Sequence, residues 1–205
     1  MVTNSGFAII ISSPSGAGKT TITKKLLKKI KNSHLSVSCT TRKPRTGEVH
    51  GKDYFFISKK KFQDLKKQKK FLETAKVHDN HYGTLKTEVY KNLKKNKVVL
   101  LDIDWQGARS VKKIIKDNIF SFFLLPPSLK DLKNRLLKRH QDNKQIAIKR
   151  FSYAKKDIKH WIEYDYVSIN DKIPICTRDI FLKIKLVINE KIKKEKITKL
   201  VKNFN

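Results

Sequence analysis

The stretch Ser13-Pro14-Ser15-Gly16-Ala17-Gly18-Lys19-Thr20 sets small residues, a lysine and a hydroxyl in an order suited to gripping a polyphosphate. It follows the apolar run Phe7-Ala8-Ile9-Ile10-Ile11 and continues through Thr21 into a helical pattern carrying Ile22, Leu26, Leu27 and Ile30. Glycines let backbone N–H groups curl around phosphate oxygens, and a helix N-terminus adds the positive end of its dipole. In this strand–loop–helix context, Lys19 would reach the β- and γ-phosphates of a nucleoside triphosphate and the Thr20 hydroxyl would ligate Mg²⁺. The pattern departs from the general one at its first position, where Ser13 stands in place of glycine.

Arginine is the second chemical signal. The chain has 48 Lys and Arg against 18 Asp and Glu, a net charge of +30. Only Arg42, Arg45, Arg109, Arg135, Arg139, Arg150 and Arg178 are arginines. In a chain that uses lysine almost everywhere, arginine marks places where a rigid planar fork must grip an oxyanion bidentately. Arg42 and Arg45 form one group, and Arg135, Arg139 and Arg150 a second. Arg135 and Arg139 are four apart and share a helix face. Asp102 closes the apolar run Val98-Val99-Leu100-Leu101, where a carboxylate beside bound Mg²⁺ would sit; a helix-capping role suits it too.

These residues need elements to position them. Periodicity predicts a strand over 7–12 and a helix over 18–31. A short strand follows near 34–39, a strand at 54–57, a helix over 59–69 and an extended piece over 71–77. Tyr82-Gly83-Thr84 reads as a turn into a helix over 86–96. Next come a strand at 98–102, a helix over 106–117, a strand at 120–125, basic helices over 128–140 and 143–161, and a strand near 165–169 ending at Asn170. A long amphipathic helix, read as packing on the sheet, closes the chain. Apolar strands alternating with helices predict an α/β fold, a mostly parallel sheet covered on both faces. The interval 38–85 breaks the rhythm and reads as an inserted lobe.

At 205 residues the chain suits one domain. No apolar run approaches the roughly 20 residues of a membrane helix, and no secretion signal is read at the N-terminus. Cys39 and Cys176 match no metal or redox spacing, so a reducing, cytoplasmic setting is expected. The lysine runs fall on helical patterns opposite apolar partners such as Phe62 and Leu65, and read as solvated faces. Aromatics do not interleave with them as a base-stacking platform would require. Neither a specific nucleic-acid partner nor a membrane is expected, and the oligomeric state is not legible.

Four blocks in order resemble the guanylate kinase family, nucleoside-monophosphate kinases of the P-loop class. They are Ser13 to Thr20; Ser38-Cys39-Thr40-Thr41-Arg42-Lys43-Pro44-Arg45-Thr46-Gly47-Glu48 with Gly51-Lys52-Asp53-Tyr54; Tyr82-Gly83-Thr84 with Leu101-Asp102-Ile103-Asp104-Trp105-Gln106-Gly107; and Arg135-Leu136 through Arg139, Asp142 and Arg150. The resemblance spans roughly 5–203. It implies a three-layer P-loop fold in one domain, with a core over about 1–37, 86–127 and 162–205, a GMP-binding lobe over about 38–85 and a helical lid over about 128–161.

The resemblance also implies roles. Residues Ser13 to Thr21 and Asn170 would bind ATP, with Thr20 and Asp102 at Mg²⁺. Arg42, Arg45, Tyr54 and Tyr82 would hold the GMP phosphate. Ser38 and Thr84 would hydrogen-bond the base, Glu73 would accept from guanine N1–H and the 2-amino group, and Asp104 would lie near that amino group. Thr84 also suits a plain helix cap. Lys19, Arg42, Arg135, Arg139 and Arg150 would act on the transferring phosphoryl group. The expected reaction is ATP + GMP ⇌ ADP + GDP. The rival readings are a P-loop kinase acting on another phosphorylated small molecule, such as a ribosyl bisphosphate, and a non-catalytic binding module.

Overall fold

The computed structural model describes residues 6–77, 79–138 and 144–202. Five parallel strands form the central sheet in the order β2-β7-β1-β8-β9: β1 (Phe7–Ser12), β2 (Ser33–Leu35), β7 (Val98–Asp102), β8 (Ile119–Leu125) and β9 (Tyr166–Ile169). Alternation along β1 explains the two covered faces. Ile9 and Ile11 join Leu100, Phe122 and Leu124 against helices α1 (Lys19–Lys29) and α7 (Ile173–Lys202), which contribute Ile22, Leu26, Cys176, Ile180 and Ile184. Ala8 and Ile10 face the other way with Val99 and Leu101, against Val89 of α3 (Lys86–Lys94) and Ala108 and Val111 of α4 (Trp105–Ile114). Each fully buried aliphatic side chain of this kind contributes about 1.5–3 kcal/mol.

The interval that breaks the rhythm builds a second sheet, ordered β4-β3-β6-β5, from β3 (Cys39–Thr40), β4 (Phe55–Phe56), β5 (Phe71–Val77) and β6 (Asn80–Leu85). Helix α2 (Lys59–Lys67) packs there through Phe62, stacked on Phe71 at 4.7 Å between ring centroids. Helices α5 (Leu129–Leu137) and α6 (Lys144–Asp157) pack together through Leu132, Leu136, Ala147 and Ala154.

Three expectations need correction. The strand expected near 34–39 is two strands in different sheets. After β2 the Ser36 N–H still bonds Leu100 O (3.0 Å), but Ser38 O accepts from Phe55 N (2.9 Å), so the chain changes sheets between them. Tyr82-Gly83-Thr84 is not a turn but the middle of β6, paired antiparallel to β5 with Ala75 opposite Tyr82 and Glu73 opposite Thr84. The cap of α3 is then Leu85, without a side-chain bond, which closes the capping alternative for Thr84. The helix expected to run to 161 ends at Asp157 and tightens into a 3₁₀ segment, Ile158–Glu163. Contacts to α4 explain the tightening: the Trp105 indole donates to Asp157 (3.1 Å), His160 stacks on Trp105 (3.8 Å) and Glu163 grips Arg109 through both oxygens (2.6 Å each).

Candidate active site

Strand β1 lies between β7 and β8 and delivers residues 13–18 to the carboxyl edge of the parallel sheet, where open α/β sheets bind ligands. The register Ile11↔Asp102 brings Asp102 level with the start of that loop. Gly18 caps α1 in the left-handed region (φ 96°), and a Cβ there would lie 2.4 Å from Asn170 Nδ2, so glycine is required twice over. Lys19 Nζ forms an ion pair with the Asp102 carboxylate. Thr20 and Thr21 are exposed on the first turn, while Ser13 and Ser15 are half-buried around buried Pro14. Ala17 is fully buried and its N–H turns back to Pro14 O (3.2 Å).

Asn170 is 2% exposed. Its Nδ2 donates to Ala17 O (2.7 Å), tying β9 to the loop, and its Oδ1 has no partner among the described residues. Arg135 Nη2 donates to the Asn170 carbonyl (2.8 Å), and the same helix lays Leu132 and Leu136 over Gly16. Arg150 lies half-buried on α6. Arg139 lies outside the described residues.

The second sheet gathers the first arginine group. Thr40 pairs with both Phe56 and Tyr82, which brings Arg42 beside Tyr54 and Tyr82. The Arg42 guanidinium lies 5.5 Å from the Tyr54 ring centroid and 5.7 Å from that of Phe56. Its Nη2 donates to Glu48 Oε1 (2.8 Å) and its Nη1 to Lys43 O (2.7 Å), while its buried Nε has no partner among the described residues. Burial works against the Arg42 charge, but the Glu48 bond and Tyr82 hold its pKa above the ordinary value. Arg45 is half-buried beside it, and its backbone N–H donates to Glu48 Oε2 (2.8 Å).

Glu48 therefore uses both oxygens to fix the two arginine positions, a part that reasoning from sequence alone missed although Glu48 sits in the same block. Burial would raise the Glu48 pKa, but the Arg42 and Arg45 bonds lower it on balance. Replacing Glu48 with Gln should raise KM for GMP about tenfold, the worth of one charge-assisted bond, and leave KM for ATP unchanged. Initial rates with each nucleotide varied in turn check this.

A third group is acidic, with Glu73 at its buried centre. Glu73 on β5 is 5% exposed and Thr84 on β6 fully buried. Thr84 Oγ1 donates to Glu73 Oε1 (2.6 Å) and lies 3.2 Å from Ser38 Oγ. Burial, reinforced by Asp104, pushes the Glu73 pKa up to about 7 despite the Thr84 bond. Asp104 caps α4, its Oδ1 accepting from Gly107 N (2.9 Å), and burial raises its pKa as well.

The groups share one neighbourhood. The Lys19 charge is felt at both Glu73 and Asp104, and the Asp102 charge at Tyr54, whose pKa burial drives up. A Lys24–Asp53 pair (2.7 Å) ties α1 to the segment that ends in Tyr54. Lys19 pairs with Asp102, Asp102 acts on Tyr54, and Tyr54 lies against Arg42. The predicted residues within the described segments thus fall on the loop and the first turn of α1, at the carboxyl ends of β7 and β9, on or beside the second sheet, at the cap of α4, and on α5 and α6.

A glycine-containing loop that ends in Lys19 at the carboxyl edge of a parallel sheet and opens a helix is the arrangement of a P-loop phosphotransferase. The family model described as guanylate kinase matches residues 5–188. Guanylate kinase of Rickettsia prowazekii is 51% identical over 168 residues (82% of this chain, 85% of the relative), and that of Clostridioides difficile 46% over 180 residues (88% and 87%). The crystal structure of guanylate kinase from Anaplasma phagocytophilum superposes with a TM-score of 0.76 at 32% identity, over 90% of this chain and 87% of that one. The chain belongs to the guanylate kinase family.

Proposed function

We infer that the protein transfers the γ-phosphoryl group of ATP to the phosphate of GMP, forming ADP and GDP. The observation that carries this reading is the buried Glu73 carboxyl, held by Thr84 and within the field of Lys19. A carboxylate there accepts from guanine N1–H and the 2-amino group, with Ser38 and Thr84 also at the base and Asp104 beside the amino group. Adenine offers neither donor and leaves the acid unpaired, the situation in which hydrogen-bonding sites discriminate by roughly 10⁴-fold.

Phosphoryl transfer asks the protein for positioning and charge stabilisation. Residues 13–21 cradle the ATP phosphates, with Lys19 on the β- and γ-phosphates. Arg42, Arg45, Tyr54 and Tyr82 hold the GMP phosphate in line; the unpartnered Arg42 Nε supports this, since a buried N–H without an acceptor is costly until an oxyanion arrives. Asn170 Oδ1, without a partner among the described residues, is an acceptor offered on the ATP side. The segment 128–161 acts as a lid, bringing Arg135, Arg139 and Arg150 to the transferring group and excluding water. Thr20 and Asp102 are oxygen donors suited to Mg²⁺, a hard cation that takes one or two protein oxygens beside phosphates and water. When bound, Mg²⁺ neutralises charge developing on the β- and γ-oxygens.

The raised Glu73 pKa fixes a pH dependence. Only the carboxylate accepts from guanine, and ionisation at about 7 means most of the acid is protonated by pH 6. KM for GMP should rise about tenfold between pH 8 and pH 6. The folding linkage has the opposite sign: a pKa above its unfolded value stabilises the free fold at low pH, and this is lost as pH rises through about 7. Glu73→Gln should flatten the KM profile apart from the phosphate's own titration, and an unchanged profile would refute the assignment.

A coupled assay of ADP release with GMP, dGMP, AMP, UMP and CMP tests the whole reading. Turnover confined to the guanine nucleotides supports it. Preference for AMP, or for a ribosyl bisphosphate run beside them, overturns it.

A further inference from the structure

Gly107 is the third residue of α4, after Asp104 at the cap. Nothing in its backbone calls for glycine: its φ lies outside the left-handed region, and glycine costs about 1 kcal/mol against alanine within a helix. Helix starts commonly place Glu or Gln at this position, reaching back to the cap. Here the space is filled from another element. A Cβ on Gly107 would lie 2.7 Å from Glu73 Oε2 and 3.0 Å from Glu73 Cδ, with Ile103 Cβ at 3.3 Å. The Gly107 N–H meanwhile donates to Asp104 Oδ1 (2.9 Å).

One residue therefore touches both acids. Its bare Cα admits Glu73 from β5, and its amide fixes Asp104. Thr84 holds the other oxygen of Glu73 at 2.6 Å, so the carboxylate is seated between a hydroxyl on β6 and the missing side chain on α4. The Glu73 carboxylate is the end of a flexible side chain, so a methyl group on Gly107 would displace it without unfolding the helix. Such a shift spoils the angle at which two oxygens meet two donors on one base edge.

We propose that Gly107 is a specificity-positioning residue: by having no side chain it sets the depth of the Glu73 carboxylate and its spacing from Asp104, and so tunes recognition of guanine in GMP. This rests on the reading of Glu73 given above.

The test is a cycle of Gly107→Ala, Glu73→Ala and the double variant in the full chain. Gly107→Ala should raise KM for GMP about tenfold, with kcat and KM for ATP within about twofold and the melting temperature unchanged or higher. Purely structural damage would move kcat, KM for ATP and melting together. In the Glu73→Ala background the methyl group has nothing to displace, so adding Gly107→Ala should change KM for GMP less than about twofold. If Glu73→Ala raises KM for GMP but Gly107→Ala does not, or if Gly107→Ala costs the same in both backgrounds, the inference about Gly107 fails alone. If Glu73→Ala leaves KM for GMP unchanged, the reading of Glu73 falls and takes this inference with it.

Discussion

Lys19→Ala should lower kcat by about 10³-fold or more while GMP binds as tightly as before. The lysine is the first residue of α1 and is already paired with Asp102, so it is held for a charge that arrives with the nucleotide. Removing it takes away a donor on which transition-state charge falls and leaves Asp102 without its counter-ion beside incoming phosphates. Most of the groups assigned to GMP lie on or beside the second sheet and keep their own hydrogen bonds, so equilibrium binding of GMP at pH 8, where Glu73 is already ionised, should hardly change. Folding should respond as well, because the pair is largely buried, with side-chain exposures of 20% and 17%, and Asp102 is left there without its counter-ion. Calorimetric GMP titration and a thermal melt, run beside the rate assay, separate these effects. Near-wild-type turnover in this variant would remove Lys19 from the chemistry.

The second large effect belongs to Glu73. Glu73→Gln keeps the shape and the Thr84 contact but turns one acceptor oxygen into an N–H₂ that faces the guanine donors. The ratio of kcat/KM for GMP to that for AMP should fall about 10²-fold, almost wholly through loss on GMP. The free protein should become more stable at pH 8, since a buried acid ionising near 7 is replaced by a neutral amide. Lower activity with higher melting temperature is the expected signature. Unchanged discrimination would refute the role of Glu73, whatever happened to stability.

What the sequence reveals depends on how far apart the interacting residues lie. The loop from Ser13 to Thr20 is legible because strand, turn and helix are contiguous, and the apolar alternation of β1 and β7 foretells a covered parallel sheet. Asp102 is legible as the polar end of an apolar strand. The split between β2 and β3 is not, because Ser36 and Ser38 choose different sheets through Leu100 and Phe55, partners distant in the chain. Tyr82-Gly83-Thr84 looks like a turn on composition, yet Gly83 lies flat against the Phe71 ring and Thr84 opposite Glu73, contacts that only the hairpin creates. Glu48 could have been found from its place beside Arg42 and Arg45 in one block. Gly107 could not, since a helical glycine announces nothing until the residue occupying its missing side chain is known.

In the reading proposed above, the loop ending in Lys19 and the sheet carrying Arg42 face one another across a single pocket. Calorimetric titration with an adenosine and a guanosine joined 5′ to 5′ through a chain of phosphates tests this arrangement. One molecule should bind per chain, displacing both ATP and GMP, with binding weakened by Lys19→Ala and by Arg42→Ala. A ligand that displaces only one nucleotide, or that ignores either substitution, would contradict it.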